Sequence, residues 1–201
     1  MGKIIYLMGK SSSGKDTIFK RLLADKALGL KNIVPYTTRP IREGEKDGQE
    51  YFFTYETGYR NLKEQGKVIE ERAYNTCHGL WRYFTVEDGQ VEQQSGNCLM
   101  IGTLESYLRL KDYFGADKIL PVMIELDDGK RLQRALDREM RQENPKYEEM
   151  CRRFLADNAD FAEEKIKEAG ITIRFQNYDL EKCLKEIRAY VIEQSGENTQ
   201  V

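Results

Sequence analysis

Residues 3–23 read KIIYLMGKSSSGKDTIFKRLL and contain the patterns of a strand, a loop and a helix in succession. The apolar run at 3–8 predicts a buried parallel strand, because such strands are covered on both faces. From Lys15 to about Lys26 the apolar residues recur at i, i+3 and i+4, which predicts a helix with one buried face. A polar loop at 9–14 joins the strand to the helix, so it lies at a strand–helix junction.

The loop has glycine at its first and sixth positions, as in loops whose backbone N–H groups surround a polyphosphate. Lys15 follows and can reach the terminal phosphates, and the helix offers its positive N-terminus. The next position is usually Ser or Thr, which binds magnesium, but here it is Asp16 and then Thr17. We expect an ATP-binding loop, with an ordinary Ser/Gly turn as the alternative. Its residues are Gly9, Ser11, Ser12, Ser13, Gly14, Lys15, Asp16 and Thr17.

Composition limits the class of protein. The 201 residues are 33% charged and 40% hydrophobic, which suits one compact α/β domain. A net charge of −2 argues against a non-specific nucleic-acid binder. The four cysteines lie far apart without C-x-x-C spacing, so neither a zinc site nor a disulfide framework is indicated. No apolar run approaches about eighteen residues and no signal-peptide pattern opens the sequence, so we expect a cytoplasmic protein without membrane contact.

Strand and helix patterns alternate along the chain. This alternation predicts a parallel sheet with helices on both sides, which binds its ligand beyond the carboxyl ends of the strands. Thr85 is a candidate N-cap of one helix. Asp127 is the candidate N-cap of a second helix, which runs to Glu139 and has an inner face of Leu132, Ala135 and Leu136. The remaining predicted elements are a helix at 55–65, a strand at 67–74, a strand at 98–101, a helix at 104–114, a strand at 118–124, a strand at 171–175 and a helix at 180–192.

Residues 37–53 read TTRPIREGEKDGQEYFF, a segment dense in charge and turn formers. Such segments are usually only solvated loops. Here Arg39 and Arg42 lie three apart, and Pro40 stiffens the backbone between them. Two planar guanidinium groups in this arrangement can hold one phosphate between them.

This segment resembles the signature of guanylate kinases. The resemblance extends over nearly the whole chain, through the N-terminal loop, an arginine-bearing lid and a late Asn177-Tyr178-Asp179-Leu180. It implies an α/β fold: a P-loop parallel sheet flanked by helices, with a small mixed NMP-binding lobe and an arginine-bearing lid. The implied single domain spans 1–201, with a core at 1–32, 97–136 and 157–194, an NMP-binding lobe at about 33–96, a lid at about 137–156, and a disordered tail at 195–201.

The resemblance also assigns roles to residues. It implies that Arg39, Arg42 and Tyr51 hold the acceptor phosphate, and that Glu70 accepts from N1–H and the exocyclic amine of guanine. His78 and Gly79 fall near a further acceptor contact, although His78, the only histidine, is better explained by packing or hydrogen bonding than by catalysis. The residues implied on the donor side are Lys15, Arg134, Arg138, Arg153 and Asn177, with Arg152-Arg153 at the start of the returning lid helix. Those implied in catalysis are Lys15, Arg39, Arg138 and Arg153.

Two departures from the family pattern concern the base and the metal. Guanylate kinases carry a serine where Pro35 stands, and two aspartates, one of them associated with magnesium, where this chain has Gly102 and Thr103. Asp16, with Thr17 beside it, is therefore the candidate magnesium ligand. The alternative is that Asp16 only N-caps the first helix and points away from the ligand.

These observations predict an enzyme that transfers the γ-phosphoryl group of ATP, with Mg²⁺, to GMP and releases GDP and ADP. We expect a monomer or homodimer whose partners are ATP and GMP. The Gly-Lys-Asp in the loop also resembles a related ribose bisphosphate kinase group, so ribose 1,5-bisphosphate or a different nucleotide is an alternative acceptor. A non-catalytic guanylate-kinase-like binding module is a third hypothesis.

Overall fold

A computed structural model describes residues 2–42, 44–76, 79–91 and 96–196. In chain order its elements are β1 (Ile4–Met8), α1 (Lys15–Ala24), β2 (Lys31–Asn32), β3 (Tyr36–Thr37), β4 (Phe52–Phe53), α2 (Glu56–Glu64), β5 (Val68–Thr76), β6 (Gly79–Val86), β7 (Cys98–Gly102), α3 (Leu104–Phe114), β8 (Ile119–Glu125), α4 (Asp128–Met140), α5 (Tyr147–Asp160), α6 (Glu163–Glu168), β9 (Arg174–Gln176) and α7 (Leu180–Ser195).

The central sheet has five parallel strands in the order β2-β7-β1-β8-β9. All five residues of β1 are buried, because helices cover both faces of the sheet. Tyr6 and Met8 pack on the side of α3, whereas Ile5 and Leu7 pack on the side of α1 and α7. The predicted parallel sheet flanked by helices is confirmed, and it brings the loops after β1, β7 and β9 to one edge.

A second, mixed sheet of four strands lies in the order β4-β3-β6-β5. Its small core is built around Tyr59, Phe84 and Val86. The prediction that Thr85 caps a helix is wrong, since Thr85 lies within β6. Its backbone is paired with β5 and its hydroxyl donates to Glu70, so no helix begins there.

Helices α4 and α5 contact each other and are joined by residues 141–146. Asp127 caps α4 as predicted, with its carboxylate accepting from the backbone N–H of Lys130. The predicted inner face is only partly right: Ala135 is buried, but Leu132 is 39% exposed. The buried face also carries Arg131, because that side of α4 lies against the polar loop after β1. Helix α5 begins at Tyr147, ahead of the predicted start at 152.

The last strand begins at Arg174, later than the predicted start at 171, and α7 extends to Ser195. Residues 197–201 of the predicted disordered tail lie outside the described residues. Across the described ranges, none of the helices combines the length and apolar character needed to cross a bilayer.

Candidate active site

The loop at 9–14 requires glycine at its first and sixth positions for reasons of space. A β-carbon on Gly9 would stand 2.5 Å from the carbonyl oxygen of Ile124. Gly14 adopts a left-handed conformation with φ 93°, and a β-carbon there would meet the amide nitrogen of Asn177 at 2.2 Å. Glycine therefore lets the loop pack directly against β8 and the loop after β9.

Asn177 holds the loop from the other side. It is 2% exposed, and its side-chain N–H donates to the backbone carbonyl of Ser13 at 2.7 Å. Arg134 approaches the same point, with a guanidinium nitrogen 3.4 Å from the carbonyl oxygen of Asn177. The hydroxyls of Ser12 and Ser13 and the amide oxygen of Asn177 are buried without partners within the described residues. The structure thus gathers these predicted ATP-site residues at one place.

Arg131 is a residue of this region that the sequence-based site prediction missed. Its side chain is only 1% exposed; Nε donates to the carbonyl of Ser11 at 3.0 Å, and a terminal nitrogen lies 3.2 Å from Asp157. Asp157 in turn accepts from the backbone N–H of Ser11 at 2.7 Å. The Arg131–Asp157 pair therefore ties α4 and α5 to the loop. The sequence pattern that could have identified Arg131 is its i, i+4 spacing from Ala135, which places both residues on the buried face of α4.

Lys15 begins α1 and keeps 21% of its side chain exposed, with Nζ 3.7 Å from a carboxylate oxygen of Asp16. Asp16 itself is 81% exposed. The N-cap of α1 is Gly14, and no side chain makes a capping hydrogen bond. The alternative in which Asp16 caps the helix is therefore wrong. Asp16 and Thr17 stand at the open side of the first turn.

The arginines of the predicted lid differ in their distance from the loop at 9–14. A terminal nitrogen of Arg153 lies 3.5 Å from the hydroxyl of Ser11, although the side chain is exposed. Arg138 lies on α4 one turn beyond Arg134, with its side chain exposed to solvent. The loop is thus approached by Arg134 and Arg153, and Arg138 stands further out.

Arg39 forms the centre of the predicted acceptor site. Its side chain is 3% exposed and forms a bidentate ion pair with Glu45, with both N–O distances 2.8 Å. The hydrogen bonds from Arg39 hold the pKa of Glu45 below its usual range. The guanidinium carbon also lies 5.5 Å and 5.4 Å from the ring centres of Tyr51 and Phe53. Arg39 Nε is buried without a partner within the described ranges.

Tyr51 and Tyr83 complete this group. Their ring centres are 5.6 Å apart, edge to face, and the Tyr83 hydroxyl interacts with the guanidinium of Arg39. Burial raises the pKa of Tyr51. The sequence-based prediction missed Tyr83, which comes to the site only because β6 pairs with β3. Arg42 differs from Arg39 in being exposed, and its backbone N–H donates to Glu45.

Glu70, predicted to contact the acceptor base, lies on β5 with 1% of its side chain exposed. Arg72 donates to it twice, from Nε at 3.1 Å and from a terminal nitrogen at 3.3 Å. The hydroxyl of Thr85 donates to the same carboxylate at 2.7 Å. The other terminal nitrogen of Arg72 lies 3.4 Å from the hydroxyl of Thr103, which directly follows β7 of the central sheet. This ion pair was not predicted.

Gly79 is the first residue of β6 and pairs with Thr76 at the turn end of the β5–β6 hairpin. Glu70 pairs with Thr85 near the other end of the same ladder. The structure therefore separates Gly79 from the other predicted acceptor residues by most of a hairpin. The prediction for His78 falls outside the described residues.

The end of β7 accounts for the absence of an aspartate at position 102. A β-carbon on Gly102 would stand 2.0 Å from the hydroxyl oxygen of Tyr6. That hydroxyl donates to the carbonyl of Thr103 at 3.1 Å and is also hydrogen-bonded to Ser106. Burial raises the pKa of Tyr6, so the phenol remains neutral. A buried phenol thus fills the space that a side chain at 102 would need.

Comparisons with known proteins agree with this geometry. The family model "Guanylate kinase" matches residues 1–93. A guanylate kinase of Porphyromonas gingivalis is 28% identical over 193 residues, covering 94% of this chain and 95% of the relative. A guanylate kinase of Caldanaerobacter subterraneus is 26% identical over 204 residues, covering 95% of this chain and 87% of the relative.

A crystal structure of guanylate kinase from Anaplasma phagocytophilum shares the fold. It superimposes with a TM-score of 0.62 at 20% identity, covering 96% of this chain and 86% of that one. The matched N-terminal region contains the loop at 9–14, Arg39 and Glu70, and the two full-length relatives match 94% and 95% of this chain. The chain is therefore similar to guanylate kinases, in its N-terminal region by the family model and over nearly its whole length by these relatives.

Proposed function

We propose that this protein transfers the γ-phosphoryl group of MgATP to the phosphate of GMP, giving ADP and GDP. The observation that carries the proposal is the distribution of buried polar atoms without partners. Among the described residues there are five such side-chain atoms, and three of them belong to Ser12, Ser13 and Asn177 at the loop. A fourth is Nε of Arg39. Buried polar groups are rarely left unpaired. The two serine hydroxyls and Nε of Arg39 can donate, so they mark where two phosphate groups would bind, whereas the amide oxygen of Asn177 can only accept.

The chain's own residues would act by positioning and by charge. Phosphoryl transfer passes through a transition state whose charge lies on the equatorial oxygens, so little covalent chemistry is asked of the protein. Lys15, Arg134 and Arg153 would neutralise the donor phosphates. Arg39 and Tyr51 would hold the acceptor phosphate in line with them. Movement of the α4–α5 pair over the loop would exclude water, which otherwise competes as the acceptor.

The residues present fit magnesium only as a lightly held ion. Within the described ranges, no group of three or more His, Cys, Asp or Glu side chains could form a metal site. Asp16 and Thr17 would offer one carboxylate and one hydroxyl at the open side of the loop. This suits Mg²⁺, which usually keeps several waters and takes further ligands from substrate phosphates. When bound, the ion would neutralise charge developing on the phosphates.

The proposal is tested by measuring ADP release with GMP, dGMP, AMP, UMP, CMP and ribose 1,5-bisphosphate as acceptors, with an ATP-only control. We expect GMP and dGMP to be used, and pyrimidine nucleotides and ribose 1,5-bisphosphate to be poor. Lys15→Ala serves as the inactive control. Preferential use of ribose 1,5-bisphosphate would instead support the alternative acceptor that Asp16 and Gly102 suggested. Absence of transfer to every acceptor would favour the binding module.

We also propose that the enzyme works in the cytoplasm, in line with the sequence-based expectation, and that it is a monomer or homodimer. Size-exclusion chromatography with light scattering tests the oligomeric state.

A further inference from the structure

The loop at 9–14 contains a tight turn, closed by a hydrogen bond of 3.2 Å from the backbone N–H of Ser13 to the carbonyl of Lys10. Within the described residues, Ser12 is the one non-glycine residue with a positive φ, 62°. Ser11 and Ser12 are the second and third residues of this turn, and a negative φ followed by a positive φ is the combination of a type II turn. Glycine usually occupies that third position, so contacts around the turn must hold Ser12 in this conformation.

The type I and type II forms of such a turn differ in the orientation of one peptide group. Conversion to the commoner type I form rotates the peptide between the second and third residues and gives the third residue a negative φ. In this loop, that peptide carries the carbonyl of Ser11 and the N–H of Ser12. The two groups point in opposite directions in a trans peptide, so a contact that fixes the carbonyl of Ser11 also fixes the direction of the Ser12 N–H.

Arg131 makes this contact. Its Nε donates to the carbonyl of Ser11 at 3.0 Å, from a side chain that is only 1% exposed. A terminal nitrogen of Arg131 lies 3.2 Å from Asp157, whose carboxylate accepts from the backbone N–H of Ser11 at 2.7 Å. The ion pair thus holds the peptide groups on both sides of Ser11, and the N–H of Ser12 points away from Arg131.

Neighbouring contacts keep the ion pair in place. Arg131 also pairs with Asp128 on its own helix. Asn158, which follows Asp157, accepts from Nζ of Lys10 at 2.8 Å, and the same Nζ lies 3.6 Å from Asp128. The group therefore contains two cations and two carboxylates, whose formal charges cancel. Its effect on a bound phosphate thus depends on how it shapes the loop rather than on a net charge.

We propose that Arg131 and Asp157 are positioning residues for the donor nucleotide: they lock the turn in its type II form and so direct the N–H of Ser12 to the donor phosphates. This inference rests on the proposed function and adds to it. A backbone N–H that is already oriented binds phosphate without reorganisation of the loop. The same pair ties the loop to α4 and α5, which carry Arg134 and Arg153, so the loop and these arginines are positioned together.

The test measures the Kd of MgADP by isothermal titration calorimetry, so that it does not depend on which acceptor the enzyme uses. Arg131→Lys keeps the charge, but an ammonium group lacks the planar fork that holds Ser11 and Asp157 together. The Kd should rise roughly tenfold, the effect of one lost hydrogen bond to a charged group, while KM for GMP stays within about twofold. An unchanged Kd in Arg131→Lys would overturn the inference.

Substitutions at Asp157 separate positioning from charge. Asp157→Ala should also weaken binding of MgADP, and Arg131 keeps Asp128 as a partner in this variant, so its buried charge is not left unpaired. Asp157→Asn should retain much of the affinity, because an amide oxygen can still accept from the N–H of Ser11. Charge alone predicts the opposite sign, since removal of a carboxylate near phosphates reduces repulsion. Tighter binding of MgADP by Asp157→Ala would therefore overturn the inference.

The matched control is Arg174→Lys. Arg174 also pairs with two carboxylates, those of Glu125 and Glu163, but makes no ion pair with residues of the loop at 9–14 within the described ranges. This variant should leave the Kd of MgADP unaltered. A loss of affinity equal to that of Arg131→Lys would show a general effect of weakened packing and would overturn the inference.

A substitution at Ser12 distinguishes positioning of the turn from a merely structural role of the ion pair. Ser12→Gly removes the hydroxyl, but glycine adopts a positive φ readily and so favours the type II turn without the ion pair. The rise in Kd caused by Arg131→Lys should therefore be smaller, by at least about twofold, in the Ser12→Gly protein than in the unaltered one. Equal rises in the two backgrounds would overturn the inference. Failure of the unaltered protein to bind MgADP would overturn the proposed function as well.

Discussion

The hydroxyl of Tyr6 occupies the space into which a side chain at position 102 would project: the oxygen lies 2.0 Å from where a β-carbon on Gly102 would be. The phenol is buried and hydrogen-bonded to Thr103 and Ser106, so it cannot simply turn away. A residue on β1 therefore determines which residue can end β7, although the two strands are far apart in the sequence.

Gly102→Ala should destabilise the protein by about 1–3 kcal/mol, the usual cost of overpacking a core. In a Tyr6→Val background the same substitution should cost less, because the obstructing hydroxyl is gone, and the coupling should exceed about 0.5 kcal/mol. Urea denaturation of the four proteins in this cycle measures both values. An equal cost in the two backgrounds would show that the contact does not constrain position 102.

Lys15→Ala should reduce phosphoryl transfer by at least about 100-fold, as removal of one preorganised charge typically does. The melting temperature should change little, because the ion pair of Lys15 is with the exposed carboxylate of Asp16, and such pairs stabilise weakly. Lys20→Ala on the exposed face of the same helix is the control and should keep full activity. Comparable activity in both variants would refute the assignment of the loop.

Arg39→Lys should weaken acceptor binding far more than ATP binding, because lysine cannot both pair with Glu45 and present Nε to a phosphate. The expected loss is on the order of 1.5–3 kcal/mol, the range for a hydrogen bond to a charged group. Arg42→Lys should have a smaller effect, since Arg42 is exposed. Separate titrations with GMP and with an unreactive ATP analogue measure the two affinities. An equal fall in both affinities would show that residues 37–53 were assigned to the wrong substrate.

Stability should decline in acid partly through Glu45. Its folded pKa is lowered by hydrogen bonds from Arg39, so its contribution to stability is fully present above the ordinary value of 4.5. The contribution is lost as the pH falls below that value through the lowered folded pKa. Glu45→Gln should therefore show a shallower loss of stability below pH 4.5 than the unaltered protein. Parallel pH profiles from chemical denaturation would contradict this assignment.

Asp16→Asn should raise the magnesium concentration needed for half-maximal rate, with partial recovery by Mn²⁺, if the carboxylate helps to hold the ion. Thermal stability should hardly change, because Asp16 is exposed and makes no capping bond. A magnesium titration at fixed ATP measures the effect. An unaltered magnesium dependence would mean that phosphate and water hold the ion without Asp16.

Features that depend on neighbouring residues were predictable from the sequence. The apolar run of β1, the spacing of glycines in the loop and the periodicity of α1 specified a strand, a turn and a helix in order, because each is encoded within a few positions. The segment at 37–53 likewise identified Arg39 as a phosphate ligand candidate, through its spacing from Arg42 and the proline between them. Helix boundaries such as that of α3 were also predictable from caps and periodicity.

The burial and pairing of charged side chains depend on how the sheets and helices pack together. Arg131 is buried because α4 packs on the loop after β1, Tyr83 reaches Arg39 because β6 pairs with β3, and Arg72 meets Glu70 because both lie on the same face of β5. Local spacing places Arg131 on the buried face of α4 and places Glu70 and Arg72 on one face of β5, but burial of these side chains follows only when the sheets and helices pack. Local sequence thus specified the elements and the glycine loop at 9–14, whereas long-range packing decided which charged side chains are buried, paired and available to a substrate.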